Sequence, residues 1–165
     1  MVDIFDLTFD VECYYIKRPM IVEKIVFDNR TFYAKFEKIQ EPLTPLVVKQ
    51  HLNKQYTIAV PLLKDNLTNY LVLDYKGEES FRFTPLVKHI LKTLQIEKYA
   101  IYQGRDEKKL QVFIEVERLT LKEASKKINQ ISDLLKIKMS KQWKSLPSSL
   151  LPNDYNIVTL PYNIF

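Results

Sequence analysis

Glycine is almost missing from this chain: Gly77 and Gly104 are the only two in 165 residues. Glycine tolerates backbone conformations that other residues avoid, so a chain this poor in it must place it where no side chain fits. Cysteine is scarcer still. Cys13 alone excludes an internal disulfide and a CxxC metal knuckle. Histidine stops at His51 and His89, both in segments that read as helices and both expected on helix surfaces. That leaves neither a His/Cys metal site nor a Ser-His-Asp or Cys-His arrangement. No run approaches the roughly 20 apolar residues that cross a bilayer. The opening "MVDIFDLTFDVE" is acidic and alternating, unlike a signal peptide. The expectation is a reducing, cytoplasmic protein without a membrane partner, in which the sequons at Asn29 and Asn66 carry no weight.

What is present can build a core: 46% of the residues are hydrophobic and 12% aromatic, enough for one compact unit and too many for disorder. The net charge of +5 is unevenly held. Residues 1–65 carry nine Lys/Arg against nine Asp/Glu, whereas residues 66–165 carry 16 against 11. The excess is densest in "LLKIKMSKQWK", residues 134–144, with four lysines and no acid. Such a bias favours anions, a solvated basic face being the simpler alternative.

Periodicity divides the chain. "FDLTFDVEC" (5–13) alternates strictly and reads as one half-buried strand. "MIVEKIVF" and "TFYAKF" flank the turn-forming "DNR" as a hairpin. "TPLVVKQHL" opens a helix with Thr44 as cap and Pro45 at the first position. "YTIAVPLL" follows as a strand that Pro61 ends or places at an edge. "NYLVLDY" (69–75) is the next strand, and "TPLVKHILKTLQIE" (84–97) begins a helix with the same Thr-Pro pair. The repeated pair is either a duplication or a good helix start used twice, and the second is preferred. "YAIYQ" and "LQVFIEV" are strands around the Gly104 loop. Residues 120–136 form a helix with a Thr120/Glu123 capping box, and "IKMSKQW" and "YNIVTL" are the closing strands. From residue 66 this order suggests an α+β core of ferredoxin/RRM-like type. Residues 1–65 then form a β-rich extension with one helix.

Two loops carry chemistry. In "LVLDYKGEESF" the strand ends in Asp74, with Glu78 and Glu79 close behind. Carboxylates at a strand end can hold Mg²⁺, the one cofactor this sequence admits, through Asp74 and Glu78. Lys76 stands where a second acid would align with Asp74, and its charge opposes a metal. In "YQGRDEKKLQVF", Gly104 permits a positive φ that would aim backbone N–H groups at an anion. Arg105, Lys108 and Lys109 add cations suited to phosphate, while an ordinary charged hairpin turn is the alternative. Read as a strand, 136–144 places Lys136, Lys138, Ser140, Gln142 and Lys144 on one face and Lys141 and Trp143 on the other. Trp143 reads as core, with stacking on a base as the second reading.

The succession "LVLDYKG", helix, "YAIYQGRDEKKLQVFIEV", helix, "KIKMSKQWKSLP", "YNIVTLPY" resembles the core of archaeo-eukaryotic-type primase–polymerases. In that superfamily a strand ends in Asp-x-Asp/Glu, a hairpin carries a Ser-Gly-x-Gly-x-His-like motif, and the last strands end in Leu-Pro. The likeness covers about 95 residues, 70–165, and runs through Asp74, Gly104, Leu160 and Pro161, with Gln103 in place of Ser and no following His. The whole chain is also similar to a family of small uncharacterised bacterial proteins. With one carboxylate where the superfamily pairs two, the resemblance implies a catalytically inactive relic that binds a nucleotide or single-stranded nucleic acid. The residues expected to do so are Asp74, Gln103, Gly104, Arg105, Lys109, Lys138 and Lys141. The alternatives are a scaffold that meets a protein partner and, third, a metal-dependent nucleotidyltransferase using Asp74, Glu78 and Glu79.

Overall fold

A computed structural model describes residues 1–165 and gives a mixed α+β architecture with three α-helices and antiparallel sheets. The N-terminal part holds β1 (Val2–Ile4), β2 (Leu7–Phe9), β3 (Tyr14–Lys17), β4 (Glu23–Phe27), β5 (Arg30–Ala34), β6 (Phe36–Ile39), α1 (Pro45–Leu52) and β7 (Ile58–Pro61). There follow β8 (Leu67–Lys76), α2 (Ser80–Thr93), β9 (Tyr99–Gln103), β10 (Lys109–Thr120) and α3 (Leu121–Lys138). The chain closes with β11 (Trp143–Leu146), β12 (Ile157–Thr159) and β13 (Asn163–Ile164). No helix is long and apolar enough to cross a membrane.

Two sheets face each other. A five-stranded sheet runs β11-β8-β10-β9-β13, and a four-stranded sheet runs β12-β7-β3-β6. β12 therefore completes the sheet of the N-terminal part, although it lies near the end of the chain. The alternation of β8 explains the layering. Leu71, Leu73 and Tyr75 point to the face covered by α2 and α3, where they join Phe83, Leu91, Val112, Ile128, Leu135 and Trp143. Val72 points the other way and shares a second core with Tyr102, Phe113, Leu146, Ile58, Val60 and Leu160. Burying side chains of this size is worth roughly 1.5–3 kcal/mol each. The sheet–sheet core thus ties the two halves into one unit.

Several local expectations change. The alternating 5–13 segment is not one strand: a turn at Phe5 and Asp6 folds Val2–Ile4 back on Leu7–Phe9, with Phe5 at φ 54°. Ile4 and Leu7 are both buried, which a continuous strand through an odd number of intervening bonds would not allow on one face. Thr44 caps α1 as read, accepting from the Val47 N–H at 3.3 Å. Thr84 does not cap α2, which starts four residues earlier with Pro85 inside it. Starting at Ser80 buries Phe83 and stacks it on Tyr75 at 4.4 Å between ring centres. The proline's missing N–H leaves the Phe81 carbonyl without its helical donor, at a residue that is exposed. The two Thr-Pro segments are thus not structural copies. Residues 136–138 are helix, not strand: Leu135 and Met139 prolong the apolar spacing of Ile128 and Ile131, and only Trp143–Leu146 is extended. The lysine-faced ribbon of 136–144 does not exist.

Turns that glycine usually makes are made here by other residues. Asp28-Asn29 and Asp65-Asn66 form two-residue hairpin turns with φ of 50–61°. Lys54 and Gln95 take φ of 61° and 60° just beyond α1 and α2. At α2 the Gln95 N–H reaches the Lys92 carbonyl at 3.0 Å and the Ile96 N–H the Leu91 carbonyl at 2.8 Å, the helix-terminating pattern that glycine favours. A side chain in this conformation costs roughly 1–2 kcal/mol. Gln95→Gly is therefore expected to raise the unfolding free energy by about 0.5–1 kcal/mol, after the greater freedom of glycine in the unfolded chain is deducted. Urea denaturation reads this directly, and an unchanged or lower midpoint refutes it.

Candidate functional site

Along the face of β8 that meets the second sheet, residues run Tyr70, Val72, Asp74, Lys76. Their partners on β10 run Glu115, Phe113, Gln111, Lys109. Apolar pairing thus gives way to charge toward one end. β11 adds Lys144 opposite Asp74. Where the apolar residues stop, the sheets part around a cavity of about 490 Å³. Lys17, from the end of β3, and Thr57 and Thr159 line it from the second sheet; Asp74, Lys76, Lys109, Gln111 and Lys144 line it from the first. Gly104, Arg105 and Lys141 complete the rim.

Six cations, Lys17, Lys76, Arg105, Lys109, Lys141 and Lys144, therefore face a single carboxylate, Asp74. None of the six takes part in any of the five ion pairs of the chain. Arg105 donates from Nη1 to Thr57 Oγ1 at 2.8 Å, spanning the two sheets with its remaining N–H groups uncommitted. Partial desolvation, and then the like charges of Lys109, Lys35, Lys76 and Arg105, hold the Lys17 ammonium below the ordinary lysine range. Burial raises the Asp74 carboxyl, and Lys144 and Lys109 pull only partly against it. Gln111 is buried; it donates from Nε2 to the Thr159 carbonyl at 2.7 Å and leaves Oε1 without a partner. A buried orphan acceptor on a cavity wall invites a donor from whatever fills the space.

Asp74, Gly104, Arg105, Lys109 and Lys141 of the sequence-based set thus come together, and three members stay apart. Lys138 ends α3, its carbonyl accepting from Arg82 Nη2 at 2.9 Å. Gln103 pairs with Leu110, so its side chain shares the helix-covered face. Glu78 is exposed and bonds Lys108 Nζ at 2.8 Å, a pairing that lowers its carboxyl. It does not line the cavity with Asp74, and no cluster of three His, Cys, Asp or Glu side chains is formed anywhere. One carboxylate among lysines does not fit a two-metal centre.

The glycines serve close approach and not positive φ, which neither adopts. A Cβ on Gly104 would stand 2.6 Å from Lys109 Cβ, and one on Gly77 would collide with Gln142 Oε1 and stand 2.7 Å from the Tyr75 hydroxyl. Their N–H groups are not aimed at an anion either. Gly77 donates to the Lys108 carbonyl at 2.9 Å and Gly104 to the Lys109 carbonyl at 2.8 Å. Both bends therefore grip Lys108 and Lys109 at the start of β10, side by side at one end of the sheet. Trp143 is core: buried, it donates from Nε1 to Ser132 Oγ at 2.9 Å.

Sequence reading missed Lys17, Lys76, Lys144, Gln111 and Thr159 as members of the site. Lys76 and Lys144 carry a signal, since each falls on the Asp74 side of its strand; Lys17 carries none, because only the tertiary packing brings it near. His51 was expected on a surface and is instead fully buried. Its Nδ1 accepts from the Ile58 N–H at 3.0 Å, its Nε2 donates to the Leu160 carbonyl at 2.9 Å, and its ring stacks on Tyr162 at 4.0 Å. It fixes the 160–162 segment, whose Leu160 and Tyr162 border the cavity.

A family model described as a domain of unknown function, DUF1882, matches residues 2–68, so the N-terminal wall of the cleft is similar to that uncharacterised family. No curated protein matches the chain.

Burial pushes the His51 imidazole down to about 4. The unfolded chain, titrating near the ordinary 6.5, binds the proton more readily. The stabilisation is complete above about pH 6.5 and falls away as pH drops toward 4, about 3 kcal/mol in all. Between pH 7.5 and 5.5 the unfolding free energy should decline by about 1 kcal/mol, a slope absent from His51→Gln. Parallel urea titrations of the two proteins measure it; equal slopes refute the assignment.

Proposed function

We propose that the cleft binds the phosphates of a nucleotide or of single-stranded nucleic acid, without catalysing a reaction on them. The observation that carries this reading is six cations gathered around one cavity, none neutralised by an ion pair. Lysines used only for solubility spread over a surface; here they converge against their own repulsion, which an anion relieves. The β-α-β-β-α-β succession from β8 to β11, with spatial order β11-β8-β10-β9, supports a ferredoxin/RRM-like core of the primase–polymerase kind. The solitary Asp74 argues for binding over nucleotidyl transfer, since the paired carboxylates that in-line chemistry uses are absent. A half-buried free Cys13 suits a reducing, cytoplasmic setting.

A second reading, a surface for a protein partner, draws on the β4–β5 hairpin and its approach, where Met20, Val26 and Tyr33 are 74%, 70% and 60% exposed. Apolar side chains grouped this way are common at interfaces.

Charge reversal separates the two. In fluorescence titrations at low salt, Lys109→Glu and Lys141→Glu should each weaken binding of labelled nucleotide or oligothymidylate about tenfold or more, and Lys138→Glu, outside the cleft, should leave it unchanged. Asp74→Asn should tighten binding several-fold by removing the one repulsive charge, whereas a metal-dependent site would lose affinity. Absence of binding by the unaltered chain at low salt ends the phosphate reading.

A further inference from the structure

The basic cavity does not stop at the lysines. A second hollow of about 390 Å³ opens from it, and Lys17, Phe36, Asp74, Lys144 and Thr159 line both. Beyond those shared residues Lys35 is the one further charge, and the rest of the lining is apolar or aromatic. The second hollow is walled by Ile25 and Phe32 of the β4–β5 hairpin and, opposite, by Leu151, Pro152, Tyr155 and Ile157. The groove therefore has a cationic limb and an apolar, aromatic limb joined side by side. Each is within the roughly 300–1,000 Å³ of small-molecule sites.

The hairpin that forms the outer wall is held in place. The Val22 N–H donates to the Ala34 carbonyl at 2.8 Å, the Arg18 N–H to the Lys35 carbonyl at 2.7 Å, and the Tyr155 hydroxyl to Glu23 Oε2. The first two bonds close the base of the hairpin, and the third pins it to the segment that carries Leu151 and Tyr155. Along β4 and β5, Ile25, Phe27, Phe32 and Ala34 are half-buried on one side, while Val26 and Tyr33 stand out in solvent on the other. The inward row is apolar although it covers no closed core, and rings and aliphatic carbons on both walls remain partly open to water.

Resting on the reading that phosphates occupy the lysine limb, we propose that the apolar limb takes the nucleobase of the same ligand, making the β4–β5 hairpin its base-binding wall. A nucleotide has this division of chemistry: a polyanion at one end and a planar, weakly polar ring at the other. A free polyphosphate fills only the first limb. Charge supports a compact ligand over a long strand, because the basic cavity alone gathers six cations against one carboxylate, enough to meet the several negative charges of a polyphosphate tail. An extended strand, with one phosphate per nucleotide, would bring few of its charges into that space. The base would lie against Phe32 and Phe36, aromatic faces that tolerate any base, with Thr159 at the junction of the limbs to meet polar edges. Specificity toward the ligand would then reside in the N-terminal extension, and affinity for phosphate in the strand ends of the other sheet.

The test compares two probes on the intact chain by calorimetric titration: ATP and inorganic tripolyphosphate. The unaltered protein should bind ATP at least tenfold more tightly than tripolyphosphate. Phe32→Ala, on the hairpin and away from both buried cores, should weaken ATP about fivefold to a hundredfold, the range for loss of one stacked base, and leave tripolyphosphate unchanged. Phe36→Leu, which keeps apolar bulk, should give a smaller loss with the same selectivity. Equal affinity for the two probes, or equal effects of Phe32→Ala on both, would overturn the base-limb assignment while the phosphate reading survives. Failure of both probes to bind overturns the phosphate reading itself and the assignment with it.

Discussion

The molecule depends on how far apolar pairing extends along β8 and β10. On the helix side it runs the full length, through Leu71 and Ile114, Leu73 and Val112, Tyr75 and Leu110, all buried. On the opposite side it stops after Val72 and Phe113, and the next pairs are Asp74 with Gln111 and Lys76 with Lys109. Two sheets can close only where both present apolar side chains, because an unpaired charge taken from water costs several kcal/mol. The cleft is therefore the continuation of the core by other residues, not an irregularity of a loop. Its depth is set by the alternation of two strands and its width by the packing of Val60, Phe113, Val158 and Leu160 behind it.

This explains what the sequence could disclose. The strands at 69–75 and 110–116, the capped helix from Thr120 and the hairpin around Asp28-Asn29 are written in local periodicity and turn chemistry, and they form where expected. The capping box of Thr120 and Glu123 is complete, each side chain bonded to the other's backbone N–H. The misreadings arise where a tertiary demand overrides a local preference. Thr84-Pro85 is a good helix start, yet burial of Phe83 against Tyr75 and Trp143 begins the helix a turn earlier. The lysines of 136–138 alternate like a strand, yet Leu135 and Met139 hold them in the last turn of α3. His51 reads as a surface residue because nothing local announces that the Ile58 N–H and Leu160 carbonyl, seven and 109 residues away, will close on its two nitrogens.

The glycines teach the same distinction. Elsewhere the chain accepts Asp, Asn, Lys, Gln, Phe and Arg at positive φ, so conformational freedom is not what glycine is kept for. It is kept where volume is the limit, at two bends that press against Lys109 and Gln142. The Gly104 contact holds the end of β9 against the start of β10 and the Gly77 contact holds the end of β8 against the approach to β11, and that end of the sheet is where Lys76, Arg105 and Lys109 leave it. The two loops that sequence reading singled out do lie side by side, but the expected anion-facing N–H groups are spent on backbone carbonyls, and the positive field at the cavity comes from side chains.

A cleft built between two sheets belongs to neither alone. Lys17, Phe36 and Thr57 come from the part similar to DUF1882, whereas Asp74, Lys76, Arg105, Lys109, Lys141 and Lys144 come from the part that the family model leaves unmatched. The Arg105–Thr57 hydrogen bond crosses that division, and so does the apolar core beneath it. Residues 2–68 by themselves carry one side of the groove and the hairpin, with Lys17 as their one cation on the basic cavity. The charge that would hold an anion arrives only when β8, β10 and β11 pack against them. A function assigned to either segment in isolation would therefore describe half of a site whose physical chemistry exists only in the assembled chain.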